Sequence, residues 1–205
     1  GVVSLTVAEA EGHAVRWRAM DVLGNGPTVS PAVTYGVDLS QVELEPHAGT
    51  DWLRGAEATV TCLLTDPDEG LGSSGVDLPS VEVSVLLAGS GGWTDWSAPD
   101  ALVRVQGARA VQATTVLELA EGVDNFVRWR GRDVAGNPLV TSPPDRLKVD
   151  LTPPQLVNRW PRGGTFDGPD DGRVVASFSD GAGSGIDPAS VELSVSRGSA
   201  EGFGP

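Results

Sequence analysis

Cysteine and histidine are almost absent from this sequence of 205 residues. It contains one cysteine, Cys62, and two histidines, His13 and His47. A single cysteine excludes an internal disulfide, and two histidines are too few for a convincing histidine-based metal or catalytic site. The fold must therefore be stabilised by hydrophobic cores or by bound metal rather than by covalent cross-links.

Basic residues and long apolar runs are also scarce. Lysine and arginine total 14 against 28 acidic residues, which gives a net charge of −14. This balance argues against nucleic acid and anionic membrane surfaces as partners, whereas an acidic surface suits divalent cations, high salt or simple solubility. No apolar run reaches the roughly 18 residues of a membrane helix, so we expect no membrane insertion of this segment. No signal peptide is visible and the sequence starts abruptly at Gly1, so we expect a piece of a longer protein.

Glycine and proline are abundant, with 27 and 15 residues, while 40% of the residues are hydrophobic and 20% are charged. This composition is typical of a folded chain with short strands and many turns. The apolar positions alternate in several stretches: Val60, Cys62 and Leu64 share one face of a predicted strand. No stretch has a sustained helical period. The sequence therefore predicts an all-β fold.

One segment occurs twice. Residues 127–137 read VRWRGRDVAGN and residues 15–25 read VRWRAMDVLGN, at an offset of 129 − 17 = 112 between their tryptophans. We expect Trp129 and Trp17 each to lie in a core. A second pair of similar segments, residues 59–85 and 173–195, has an offset of 191 − 81 = 110. A repeat of about 110 residues is the size of a domain, which predicts tandem modules.

The two pairs of segments define the phase of the repeat. Residues 1–38 match the C-terminal half of a module, residues 39–151 form a complete module, and residues 152–205 match the N-terminal half of a further module. The first linker, Val37-Asp38-Leu39-Ser40, lacks a double proline, whereas Pro153 and Pro154 stiffen the second linker. In the second copy Ala176 stands where the first has Cys62, so we expect Cys62 to be a small core residue without a chemical role.

The repeated D-V-x-G-N motif predicts a turn. Glycine next to asparagine supplies the backbone conformations of a tight hairpin, and the preceding aspartate is placed to accept hydrogen bonds from turn amides. We therefore predict a structural role, and no catalytic one, for both copies. The residues concerned are Asp21, Gly24, Asn25, Asp133, Gly136 and Asn137.

These motifs together resemble a known group of proteins. A strand followed by D-x-x-G-N, then S-P, V-D-x-T-P-P and an acidic D-x-G-S-G-[IV]-D-x-x-S-V loop is similar to the immunoglobulin-like or fibronectin type III-like modules of prokaryotic secreted and cell-surface proteins. The residues that carry the resemblance are Asp133, Gly136, Asn137, Val149-Asp150, Pro153-Pro154 and 180–191. The resemblance implies tandem β-sandwiches, an extracellular or cell-surface location, and spacer, adhesive, surface-layer or filament roles.

Acidic, glycine-rich loops give the best ligand hypothesis, which is calcium. Ca²⁺ takes six to eight oxygen ligands from flexible loops, although the spacing here is not that of an EF-hand. Solvated acids that cap turns are the alternative, and they also explain the acidic run at 167–172. The candidate calcium ligands are Asp66, Asp68, Glu69, Asp77, Asp180 and Asp187.

Trp93 and Trp96 lie in a glycine-rich segment and give a second ligand hypothesis. Exposed tryptophans stack on sugar rings, which would make the chain a carbohydrate-binding accessory module of a secreted enzyme with cell-surface glycans as partners. Alternatively, they cover the end of a sandwich or a domain junction. No spacing of paired carboxylates indicates a hydrolase, so we expect no enzymatic activity.

The expected function is therefore that of a non-enzymatic structural, spacer or adhesive segment of an extracellular protein. Its partners would be adjacent Ig-like domains or neighbouring copies of the same protein. The two half-modules admit two interpretations. Either the chain is a window on a longer surface protein, which we favour, or the half-modules of different subunits complement each other and build a filament.

Overall fold

Alternating apolar and polar residues form short strands along this chain. The structure, a computed structural model, describes residues 2–47, 49, 51–67, 72–163 and 173–196. These residues form fifteen strands and two 3₁₀ helices of three residues each, so the described part of the chain is all-β, as predicted. Among the described residues, no helix has the length and apolar character needed to cross a membrane.

The strands are short, with the longest at the centre of the chain. In chain order they are Ala10–Val15 (β1), Arg18–Ala19 (β2), Thr28–Val29 (β3), Val33–Val37 (β4), Glu43–His47 (β5), Trp52–Leu53 (β6), Glu57–Thr65 (β7), Glu82–Leu86 (β8), Ala101–Gln106 (β9), Ala110–Glu118 (β10), Gly122–Gly131 (β11), Val140–Thr141 (β12), Asp145–Val149 (β13), Gln155–Trp160 (β14) and Val175–Ser179 (β15). The 3₁₀ helices are Leu78–Ser80 and Pro188–Ser190.

The chain divides into two units, Gly1–Val149 and Asp150–Pro205. In the first unit, strands β5, β7, β10 and β9 form a four-stranded sheet in that order. The other sheet has five strands. Four of them follow the order β12, β11, β13 and β6, and the fifth, β8, also pairs with β11. Their buried residues belong to a single hydrophobic core, which is the arrangement of a β-sandwich.

The core of this sandwich follows the predicted alternation. Val60, Cys62 and Leu64 on β7 are buried, and so are Val127 and Trp129 on β11. Cys62 and Trp129 have no exposed surface, so the predictions that these two side chains lie in a core are confirmed.

Residues before β5 form two small antiparallel sheets, β1 with β4 and β2 with β3. The prediction that Trp17 lies in a core is wrong, because 57% of its surface is exposed whereas its counterpart Trp129 is fully buried. The physical reason is that, among the described residues before Asp38, no facing sheet covers the indole ring. Trp17 nevertheless keeps the local hydrogen bonds of Trp129: Ser30 Oγ accepts from its amide at 2.8 Å, and Ser142 Oγ accepts from that of Trp129 at 3.0 Å.

In the second unit, β14 and β15 pair as antiparallel strands. Residues 191–196, which resemble the strand β8, are not in a strand. In the complete module, by contrast, β8 pairs with β11 over Glu82–Leu86. Apolar side chains on this unit stay partly exposed, among them Phe178 at 40% and Leu193 at 70%.

Candidate functional site

Three aspartates from separate parts of the sequence meet in the first unit. Asp38 directly follows β4, Asp66 directly follows β7, and Asp133 lies two residues after β11. Each offers one carboxylate oxygen, and these oxygens lie within 4.8 Å of one another. Asp66 and Asp133 are buried, with 0% and 1% of their surface exposed, and Asp38 is partly buried. We call these three residues the junction triad, because Asp38 precedes the complete module that contains the other two.

Asp66 is held by the loop that follows it. Its Oδ2 accepts hydrogen bonds from the Ser73 hydroxyl at 2.8 Å and from the Gly75 amide at 2.6 Å. Gly75 has a φ of +90°, and an added Cβ there would lie 2.8 Å from the carbonyl oxygen of Ala108, so glycine is required at this approach. The other oxygen of Asp66, Oδ1, is buried and has no hydrogen-bond partner in the described part of the chain.

Asp133 caps the D-V-A-G-N turn. Its Oδ1 accepts from the amides of Gly136 at 2.8 Å and Asn137 at 3.0 Å, and Gly136 has a φ of +87°. This is the turn chemistry that the motif indicates. Its Oδ2 is buried and, within the described ranges, also has no hydrogen-bond partner.

Asp38 is fixed from both sides of the junction. Its Oδ1 accepts from the Ser40 amide at 3.1 Å, and its Oδ2 accepts from the Ser74 amide at 2.8 Å. Asn137 adds a second connection, because its side-chain amide donates to the carbonyl oxygens of Asp38 at 3.1 Å and Ser40 at 2.9 Å. The turn after β11 therefore holds the segment that enters the complete module.

The first copy of the turn uses its asparagine differently. Asp21 Oδ1 accepts from the amides of Leu23 and Asn25, and the Asn25 side chain donates to Asp21 Oδ2 at 2.6 Å. The bond from the Asn25 side chain is the main cause that lowers the pKa of Asp21. In the complete module the matching asparagine, Asn137, is engaged with the linker instead. Asp133 Oδ2 therefore lacks the partner that its counterpart has.

Electrostatics in the junction triad are unfavourable when all three carboxyls are charged. Burial raises the pKa of Asp66; hydrogen bonds from Ser73 and Gly75 oppose the rise, and the charges of Asp38 and Asp133 add to it. Two full charges 4.8 Å apart repel by about 3.5 kcal/mol at an effective dielectric constant of about 20. Three carboxylate oxygens at this spacing are also a donor set that suits a hard divalent cation.

The second unit repeats two of the three positions. Asp150 Oδ2 accepts from the Ser184 amide at 2.7 Å, as Asp38 Oδ2 does from Ser74. The Ser184 amide is the largest influence that lowers the pKa of Asp150.

Asp180 matches Asp66 in the same way, because its Oδ2 accepts from the Gly185 amide at 2.6 Å. A Cβ on Gly183 would lie 2.6 Å from Asp150 Oδ2 and 2.7 Å from Asp180 Oδ2, so the two carboxylates approach each other closely across this glycine.

Two other candidate calcium ligands have different partners. Asp77 precedes the 3₁₀ helix Leu78–Ser80, and its carboxylate pairs with Arg132 Nε at 3.2 Å. Asp187 accepts from the Ala189 amide at 2.9 Å and caps the second 3₁₀ helix. Asp68 and Glu69 lie outside the described residues. Of the residues proposed from sequence as calcium ligands, only Asp66 belongs to the junction triad. The repeat pairing of Asp38 with Asp150 was the available signal for Asp38.

Trp93 and Trp96, the candidate carbohydrate residues, stack with arginines of β11. The Arg128 guanidinium carbon lies 4.1 Å from the ring centroid of Trp93 and 4.7 Å from that of Trp96, and the Arg130 guanidinium carbon lies 4.4 Å from that of Trp96. Arg130 also forms an ion pair with Glu82 on β8. Both rings are half-buried. Their contacts are those of a cation–π stack that covers one side of the sheet.

No family model matches the chain, and a search of curated proteins also found no match.

Proposed function

We propose that this chain is a non-enzymatic spacer segment of an extracellular or cell-surface protein, built from tandem Ig-like β-sandwich modules. The observation that carries the proposal is the recurrence of one set of junction hydrogen bonds. Asp38 accepts from Ser40 and Ser74, and Asp150, at an offset of 150 − 38 = 112 residues, accepts from Thr152 and Ser184. The hydrogen bonds at the junction recur as well as the residue types. This supports a series of modules in which each linker is bonded to the following module in the same way.

The composition supports the location. One buried cysteine requires no reducing environment and forms no disulfide, and the acidic surface favours solubility outside the cell. Antibodies raised against residues 39–149 are expected to label intact cells of the organism that makes the protein, and external protease should remove the label. An antibody against a cytoplasmic protein is the control for cell integrity. Labelling that appears only after the cells are lysed would contradict the extracellular location.

Partly exposed apolar faces support the pairing of half-modules. Trp17 is 57% exposed in the N-terminal half-module and Leu193 is 70% exposed in the C-terminal one, although both belong to patterns that are buried in the complete module. We propose that complementary half-modules cover these faces. Sedimentation velocity over a hundredfold range of concentration tests pairing between copies. A sedimentation coefficient that rises with concentration is expected for it, and a concentration-independent monomer would exclude it.

A further inference from the structure

The two unpartnered oxygens of the junction triad point to a missing ligand. Asp66 Oδ1 and Asp133 Oδ2 are buried and receive no hydrogen bond from any described residue. A buried charged oxygen without a partner is costly, and native proteins nearly always provide one. We propose that a calcium ion binds between Asp38, Asp66 and Asp133 and links the entering segment to the complete module.

Hydrogen bonds orient both buried carboxylates. Asp66 Oδ2 and Asp133 Oδ1 each accept two hydrogen bonds from N–H or O–H donors. The bonds fix each carboxylate plane and leave one oxygen of each free. In the D-x-x-G-N turn of residues 21–25, Asn25 donates to the oxygen of Asp21 that corresponds to the free oxygen of Asp133.

The spacing suits calcium. Ca²⁺ lies about 2.3–2.6 Å from its oxygen ligands, so two ligands on opposite sides of the ion are about 5 Å apart. The oxygens of the junction triad lie within 4.8 Å of one another, which lets all three reach one ion. The ligand set contains no histidine or cysteine, which zinc prefers, and Mg²⁺ usually retains several waters in a strict octahedron.

An open groove of about 580 Å³ borders the junction triad at Asp38, and Glu11, Ser73 and Ser74 also line it. Water molecules in the groove can complete the six to eight ligands that calcium takes. The ion would neutralise the repulsion among the carboxylates and join Asp38, which directly follows β4, to two aspartates of the sandwich. Calcium would therefore set the rigidity of this junction. The calcium site follows from the contacts of the three aspartates and does not depend on an extracellular location of the protein.

Calorimetric titration of the chelator-stripped 205-residue chain with calcium chloride tests this site. Asp38→Asn and Asp133→Asn are the test variants. Asparagine retains one oxygen, which can keep both amide bonds to Asp133 Oδ1 and one of the two amide bonds to Asp38. Asp124→Asn is the matched control, because it removes the same charge from an exposed ion pair with Arg146. Circular dichroism verifies that each variant retains the strand spectrum.

The wild-type chain and the control are expected to bind calcium with the same affinity and to melt at a higher temperature with calcium than with chelator. Each test variant should bind at least tenfold more weakly at this site and lose most of the calcium-dependent rise in melting temperature. If Asp133→Asn does not fold, Asp38→Asn decides the question. The proposal is overturned if the wild-type chain binds no calcium, or if Asp38→Asn binds calcium as tightly as the wild-type chain does.

Discussion

Replacing Trp129 with alanine removes the largest fully buried side chain of the core, and the chain contains a natural comparison for it. Trp17 lies in the same motif with the same local hydrogen bonds, but 57% of its surface is exposed. Comparing alanine substitutions at the two positions separates the contribution of the local hydrogen bonds to the free energy of unfolding from the contribution of burial.

Burial sets the expected magnitudes. A buried tryptophan removes about 150–250 Å² from water, worth about 4–6 kcal/mol at about 25 cal/mol per Å² before subtraction of what alanine retains. Measured costs for tryptophan or phenylalanine to alanine in cores are about 3–5 kcal/mol, a large part of the roughly 5–15 kcal/mol that stabilises a domain. Trp17 buries 100 − 57 = 43% of its surface. Removal of its side chain leaves no closed cavity, so we expect Trp17→Ala to lower the free energy of unfolding by less than about 2 kcal/mol.

Urea unfolding monitored by far-ultraviolet circular dichroism measures both changes without relying on tryptophan fluorescence. Trp129→Phe is the control: it keeps most of the apolar volume and removes Nε1, which has no hydrogen-bond partner among the described residues. It should cost less than Trp129→Ala. Equal losses for Trp129→Ala and Trp17→Ala would refute the reasoning, because they would mean that the facing sheet does not determine the contribution of the motif.

Three further predictions concern single side chains. Burial raises the pKa of Cys62 to about 12, so a thiol reagent at pH 8 should modify the native chain far more slowly than the urea-unfolded chain; equal rates would contradict a buried thiol. A hydrogen bond from the Val116 amide is the main cause that lowers the pKa of Asp100, so this carboxylate stabilises the fold above its ordinary pKa of 3.8. The difference in melting temperature between the wild-type chain and Asp100→Asn should be present at pH 7 and disappear as the pH falls below 3.8, and a difference independent of pH would exclude this linkage. Trp96→Ala removes a ring that stacks with Arg128, which should lower the free energy of unfolding in urea by about 1–2 kcal/mol. If the wild-type chain binds polysaccharide and Trp96→Ala does not, the carbohydrate role is favoured instead.

The sequence predicted those parts of the fold that depend on local pattern. Alternation along 57–64 and 127–133 predicted parts of two strands, β7 and β11, and the faces that bury Cys62 and Trp129, because side chains in a strand alternate between faces whatever lies opposite. The same alternation failed at Trp17, since burial depends on a second sheet that the motif itself does not encode. Residues 191–196 share the alternating pattern of β8 but are not in a strand, so the pattern alone does not determine strand pairing.

The junction triad was only partly visible in the sequence. The acidic loop predicts a ligand role for Asp66, whereas the sequence pattern places Asp133 in a turn and Asp38 in a linker. Their meeting depends on the ends of three strands that are far apart in the chain. The turn uses Oδ1 of Asp133, while Oδ2 of the same carboxylate is buried without a hydrogen-bond partner among the described residues, and a pattern of residue types cannot distinguish the two oxygens.

We propose that the complete module, residues 39–151, unfolds as one unit under load. Stretching the 205-residue chain by its ends in a single-molecule force experiment tests this claim directly. The segment from the start of β5 to the end of β13 contains 149 − 43 + 1 = 107 residues. We predict one sharp unfolding event that releases about 350–390 Å of contour length, less the distance between the ends of the folded module. Extension without a force peak, or release in several much shorter steps, would contradict it.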